Sequence, residues 1–155
     1  MMLKIGIADT TFARVDMGKI AIDELKKISS VPYERYTVPG IKDLPVAAKK
    51  LIEERGCEIV LAMGMVERTP IDKQCALVAS LGLIIAQLLT NKHIIEVFVH
   101  MDEAEDEREL LKITENRIRE HVRNAVDLLL NPQKLQRLAG TGQRQGVEDV
   151  GPILK

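Results

Sequence analysis

The chain has no tryptophan and only two tyrosines and two phenylalanines in 155 residues, so it offers little on which successive nucleobases would stack. It also lacks an excess charge: 22 Lys and Arg stand against 23 Asp and Glu, leaving no global field to draw in nucleic acid. A nucleic-acid partner is disfavoured on both counts. Two cysteines do not make a disulfide framework. Cys57 precedes an apolar run and Cys75 sits inside an apolar helical pattern, so both read as buried thiols of a reducing compartment. The opening Met1-Met2-Leu3-Lys4 lacks the charged region, apolar run and cleavage site of a signal peptide, which predicts a cytoplasmic protein.

Phosphate and metal motifs are missing as well. Gly64-Met65-Val66-Glu67-Arg68 has neither the spacing nor the lysine of a Walker loop. His93, His100 and His121 fall at a strand start, a strand end and on an exposed helix, so they form no ligand array and zinc is not expected. A two-component receiver needs a carboxylate at the end of its third strand, where this chain has Met63-Gly64.

What is present is a strong alternation of strands and helices, organised around Tyr36-Thr37-Val38-Pro39-Gly40-Ile41-Lys42-Asp43-Leu44-Pro45. Pro39 biases Val38 toward extended backbone and Gly40 permits a turn, so a strand ends there. Pro45 suits the first turn of a helix, and Asp43 just before it is placed to cap free amides. Leu3-Lys4-Ile5-Gly6-Ile7-Ala8 reads as a first strand running into a polar turn from Asp9 to Arg14, and Ile59-Val60-Leu61-Ala62-Met63 as a central strand ended by Gly64. Ile94-Ile95-Glu96-Val97-Phe98-Val99-His100 is a fourth. Helical periodicity follows each strand: Met17, Ile20, Ala21, Leu25 and Ile28; residues 45–55; an apolar stretch over 75–89; and Leu111, Thr114, Ile118, Val122, Ala125 and Leu129.

The expected fold is therefore α/β: a three-layer sandwich on a four-stranded parallel sheet, order 2-1-3-4, of flavodoxin-like type. Residues 1–131 form the catalytic domain and 132–155 a mobile tail with a short helix near Leu135 to Leu138. The four turns after the strands converge on the carboxyl edge of the sheet, where open α/β folds bind ligands. The stretch 75–89, interrupted by Ser80, Gly82 and Gln87, is too short to prefer a bilayer, yet it is apolar on all sides. One sheet cannot bury such a helix, so a second subunit is expected over it.

Individual residues carry two readings each. Phe12 is core filler or a stacking platform. Asp43 caps its helix, and that role is compatible with accepting hydroxyl hydrogen bonds. His100 is a surface group or an acid–base group near neutral pH. Glu67 and Arg68 are an exposed ion pair or site residues. Glu96, in mid-strand, needs water or a partner such as a sheet edge or subunit contact provides.

Taken together, Thr11-Phe12-Ala13 after the opening strand, Val38-Pro39-Gly40-Ile41-Lys42-Asp43-Leu44-Pro45 and Ala62-Met63-Gly64-Met65-Val66-Glu67-Arg68 resemble the lumazine synthase superfamily. The branch they resemble is the archaeal-type riboflavin synthases. The resemblance implies dismutation of two 6,7-dimethyl-8-ribityllumazine molecules to riboflavin and 5-amino-6-ribitylamino-uracil. It implies no organic cofactor, a divalent cation such as magnesium held through water by Asp9, Glu67 or Asp102, and homopentamers with sites at subunit contacts. By this correspondence Thr11 and Phe12 lie at a ring, and Asp43 with the Ile41 and Lys42 backbone holds a ribityl chain. Val66, Glu67 and Arg68 lie at the pyrimidine edge, and Glu96 reaches a neighbouring pocket. His100 and then Glu67 are the candidates for proton transfer. Lumazine synthases carry a histidine in the third loop, where this chain has Arg68-Thr69-Pro70-Ile71-Asp72. That enzyme is the nearest alternative, and a non-catalytic flavin- or lumazine-binding oligomer is another.

Overall fold

The computed structural model describes residues 2–153; Leu154 and Lys155, at the end of the expected tail, lie outside the described residues. In chain order the elements are β1 (Ile5–Thr10), α1 (Met17–Ile28), β2 (Tyr33–Val38), a 3-10 turn (Ile41–Asp43), α2 (Leu44–Glu53) and β3 (Ile59–Val66). There follow α3 (Pro70–Thr90), β4 (Ile94–His100), a second 3-10 turn (Met101–Glu103), α4 (Glu107–Leu130) and α5 (Pro132–Leu138). The strands are parallel in the order β2-β1-β3-β4, as expected.

Two apolar layers sandwich the sheet. Side chains alternate across a strand, so Ile5, Ile7, Leu61 and Met63 meet Met17, Leu25, Ile118 and Val122 of α1 and α4. Ala8, Val60 and Ala62 meet Leu44, Leu51, Ala79 and Leu83 of α2 and α3 on the other face. The stripe of α4 enters the core through Leu110 rather than Leu111, which is exposed.

Two strands run further than their apolar residues suggest. β1 continues through Asp9 and Thr10, both buried, instead of turning after Ala8. A carboxylate is tolerated in that strand because β2 satisfies it: Arg35 donates to Asp9 at 2.5 Å and Thr37 Oγ1 at 2.6 Å. Gly64 does not end β3. The ladder with β4 runs on through Gly64, Met65 and Val66, the last pairing with His100. Glycine serves there because the 3-10 turn presses on it: a Cβ at Gly64 would stand 2.5 Å from Ile41 Cγ2.

Helix α3 starts at Pro70, capped by Thr69, whose hydroxyl accepts from Asp72 N at 3.3 Å. At 21 residues, with an 18-residue stretch of mean hydropathy 1.5, it is long and apolar enough by length and composition to cross a membrane, contrary to the shorter span expected. Ala76, Ala79, Leu83 and Ala86 are buried, and Gly82 lets α3 close on Pro45, which a Cβ would meet at 2.8 Å. Leu77, Val78, Leu81, Ile84, Ile85, Leu88 and Leu89 remain exposed in one chain.

Candidate active site

The carboxyl edge of the sheet is built around one set of main-chain bonds. Thr11 N–H donates to Val38 O at 2.9 Å and Phe12 N–H to Pro39 O at 3.2 Å, while Thr11 Oγ1 donates to Pro39 O at 3.3 Å. These bonds stitch the turn after β1 to the turn after β2, and Arg14 N–H adds a contact to Met65 Sδ at 3.4 Å. The 3-10 turn is closed by Asp43 N–H to Gly40 O at 3.0 Å and by the Asp43 carboxylate, which accepts from Gly40 N–H at 3.4 Å.

The result is a cavity of about 180 Å³. Phe12 forms one wall, Gly40, Ile41 and Lys42 another, and Met65, Val66 and Glu67 come from the end of β3. Asp72 and Cys75, three residues apart in the first turns of α3, close it. It is largely apolar, with one aromatic ring, main-chain groups at the end of a strand, one cation and two carboxylates on its border. That suits a flat heterocycle carrying polar edges.

Of the residues expected at a site, the structure brings together Phe12, Ile41, Lys42, Val66 and Glu67. Phe12 is 49% exposed and lines the cavity, so it is not core filler. Others stand elsewhere. Thr11 faces away, toward a polar hollow shared with Asp9 and Arg35, and its hydroxyl serves the turn. Asp43 does not cap α2, because its carboxylate folds back on Gly40. Arg68 pairs with backbone instead of lining this cavity: its Nη2 donates to Met101 O at 3.2 Å and Ala104 O at 3.1 Å.

His100 lies beside Val66 at the end of the β3–β4 ladder, outside the cavity lining. Its N–H donates to Glu103 Oε2 at 2.9 Å, and Arg117 holds that carboxyl below its ordinary range. Glu96 sits on the edge strand and accepts from Ser80 Oγ of α3, next to the exposed apolar face. Met65, Asp72 and Cys75 were not foreseen. The three-residue spacing of Asp72 and Cys75 would have placed them on one helix face had the helix been started at Pro70. Cys75 is half-buried at the cavity, unlike the fully buried Cys57.

The three carboxylates named as alternatives for a cation stand apart from one another, two of them in ion pairs. Asp9 is taken by Arg35 and Thr37. Asp102 is paired with Lys73, which holds it below its ordinary value. Among the described residues no three His, Cys, Asp or Glu side chains converge on a common point.

Over residues 2–133 the sequence matches the family described as 6,7-dimethyl-8-ribityllumazine synthase. A protein of Archaeoglobus fulgidus named riboflavin synthase is 70% identical over 153 residues, covering 99% of this chain and 100% of that one. The chain belongs to the lumazine synthase superfamily, in its archaeal-type riboflavin synthase branch. A riboflavin synthase of Methanothermobacter marburgensis is 58% identical over 98% of this chain and 100% of its own. One of Aeropyrum pernix is 48% identical over 96% and 97%. Similarity to these named riboflavin synthases thus extends past residue 133, where the match to the broader superfamily stops. The segment after α4 is shared within the branch.

Proposed function

We propose that this member of the branch is a riboflavin synthase. One 6,7-dimethyl-8-ribityllumazine gives up a four-carbon unit to a second, yielding riboflavin and 5-amino-6-ribitylamino-uracil. All atoms of the two substrates appear in the two products, so no external oxidant or carbon donor is required. The observation that carries the reading is the cavity bounded by the Phe12 ring, the Ile41–Asp43 turn and the Val66-Glu67 main chain. Its third-strand loop has no histidine, and Thr69 in that loop is committed to capping α3. That argues against the phosphate-elimination chemistry of a lumazine synthase.

Phe12 stacks on a heterocycle, the Ile41 and Lys42 backbone holds the ribityl chain, and the amides and carbonyls of Val66 and Glu67 read the pyrimidine edge. The acidic methyl group at position 7 of one substrate loses a proton, and the resulting carbanion attacks the other. Glu67 borders the cavity whereas His100 does not, so Glu67 is the first choice for that proton and His100 the second. Much of the acceleration comes from holding two rings in register, which removes the entropy of their encounter.

The cavity in one chain is smaller than the several hundred cubic ångströms that enclose a ligand of this size. We therefore place the complete site between subunits of a homopentamer, with the exposed face of α3 and the Glu96–Ser80 pair turned to a neighbour. A helix laid along the sheet through Ala76, Ala79, Leu83 and Ala86 is not free to cross a bilayer as well. Two free thiols suit a cytoplasmic setting. A divalent cation such as magnesium would be met through water by Glu67 at the cavity border, since Asp9 and Asp102 are paired with Arg35 and Lys73.

The test is incubation of the purified protein with 6,7-dimethyl-8-ribityllumazine alone, with and without magnesium, following riboflavin by absorbance and fluorescence against a no-protein control. Riboflavin with one pyrimidine product each is the expected result. Tight binding without turnover would identify a carrier, and neither would remove the function while leaving the fold.

A further inference from the structure

The β3–β4 ladder ends at the pair Val66 and His100, and α3 begins at its Thr69 cap. Glu67 and Arg68 are the link between these two fixed points, with no strand partner of their own in the ladder. Glu67 stands on the ridge between two hollows, the apolar cavity with Phe12 and a second of about 240 Å³ containing Arg14 and Glu105. Which hollow its carboxylate serves depends on what holds the link.

Arg68 holds it. From the next position its Nη2 donates to the carbonyls of Met101 and Ala104. Those two residues are 6% and 3% exposed and belong to the core, so the anchor is rigid. Lys73, in the first turn of α3, pairs with Asp102 and ties the start of that helix to the β4–α4 connection as well. We infer that Arg68 is a positioning residue for the reaction: by bonding the β4–α4 connection it sets the direction of the Glu67 carboxylate. This rests on the reading of Glu67 as the proton-transfer group. Misplacing a reacting group by about 1 Å costs on the order of a hundredfold in rate, so the tie matters although Arg68 lines the second hollow and not the apolar cavity.

A double-mutant cycle on the full-length protein separates this role from a general structural one. Glu67→Gln alone is expected to lower kcat about a hundredfold or more. Arg68→Ala alone should lower kcat at least about tenfold with KM changed less than about threefold, and Arg68→Lys, which keeps a charged donor group without the planar fork, should recover part of the loss. In the Glu67→Gln background, Arg68→Ala should cost less than about twofold more, since the group it positions is already gone. If Arg68→Ala does not fold by circular dichroism, the cycle is run with Arg68→Lys. Losses that multiply in the double variant would overturn the positioning role while leaving Glu67 in place. A Glu67→Gln enzyme within about tenfold of the parent would remove the Glu67 reading and this inference with it, but not the synthase activity of the parent protein.

Discussion

Ile41 rests on Gly64: the side chain of the 3-10 turn occupies the space where any other residue of β3 would carry its Cβ, 2.5 Å from Ile41 Cγ2. The turn that follows β2 is thereby seated against the strand that supplies Met65, Val66 and Glu67, and the cavity width is set by that contact. Gly64→Ala must push Ile41 outward or bend β3. The expected cost is about 1–3 kcal/mol of stability, the usual range for overpacking, together with a rise in KM for the lumazine. Thermal unfolding and steady-state kinetics on the same preparation check it. Unchanged values of both would mean that the turn does not depend on this seat.

Phe12 is a different case, since half of its surface is open and it contributes little to the core. Phe12→Ala should leave the melting temperature within about 2 °C, as exposed substitutions usually cost under about 0.5 kcal/mol. Aromatic stacking is worth about 1 kcal/mol beyond area, so KM should rise roughly fivefold or more. Phe12→Tyr should retain most of the affinity. Equal losses for alanine and tyrosine would count against a stacking role.

Much of this site was legible before any coordinates, and the reason is local. Val38-Pro39-Gly40 and Asp43-Leu44-Pro45 announce a strand, a turn and a helix start through backbone constraints, and strand order follows from handed crossovers. What remained hidden depends on partners distant in sequence. Asp9 stays in β1 only because Arg35 and Thr37 meet it from β2. Gly64 reads as a strand end until Ile41 is seen on top of it. The hold of Arg68 on the Met101 and Ala104 carbonyls, more than thirty residues on, is likewise invisible until the fold brings them within reach.

The exposed face of α3 gives the sharpest test of assembly. Leu81 and Leu88 are 57% and 77% exposed, and full burial of a leucine is worth about 1.5–3 kcal/mol. Introducing unpaired charge into such a contact costs more than the lost burial. Leu81→Glu with Leu88→Lys should therefore dissociate the oligomer in sedimentation velocity while circular dichroism stays unchanged, and turnover should fall with the assembly. A variant that stays assembled would show that this face is not the contact. One that dissociates but keeps its activity would place the complete site within a single chain.

The two thiols should behave oppositely. Cys57 is fully buried, and burial pushes its pKa from 9.0 up to about 11, whereas Cys75 borders the open cavity. A small alkylating reagent at pH 8 is expected to label Cys75 and spare Cys57 in the folded protein, and saturating lumazine should slow the labelling. Because the folded-state pKa of Cys57 is the raised one, its contribution to stability is complete below the unfolded thiol pKa near 9 and is lost as the pH climbs toward about 11. The unfolded chain releases that proton first, and its release favours unfolding. Urea titrations across this interval should show the parent protein losing stability more steeply than Cys57→Ala, in which the other alkaline groups still titrate. Parallel slopes for the two proteins would mean that Cys57 does not carry this dependence.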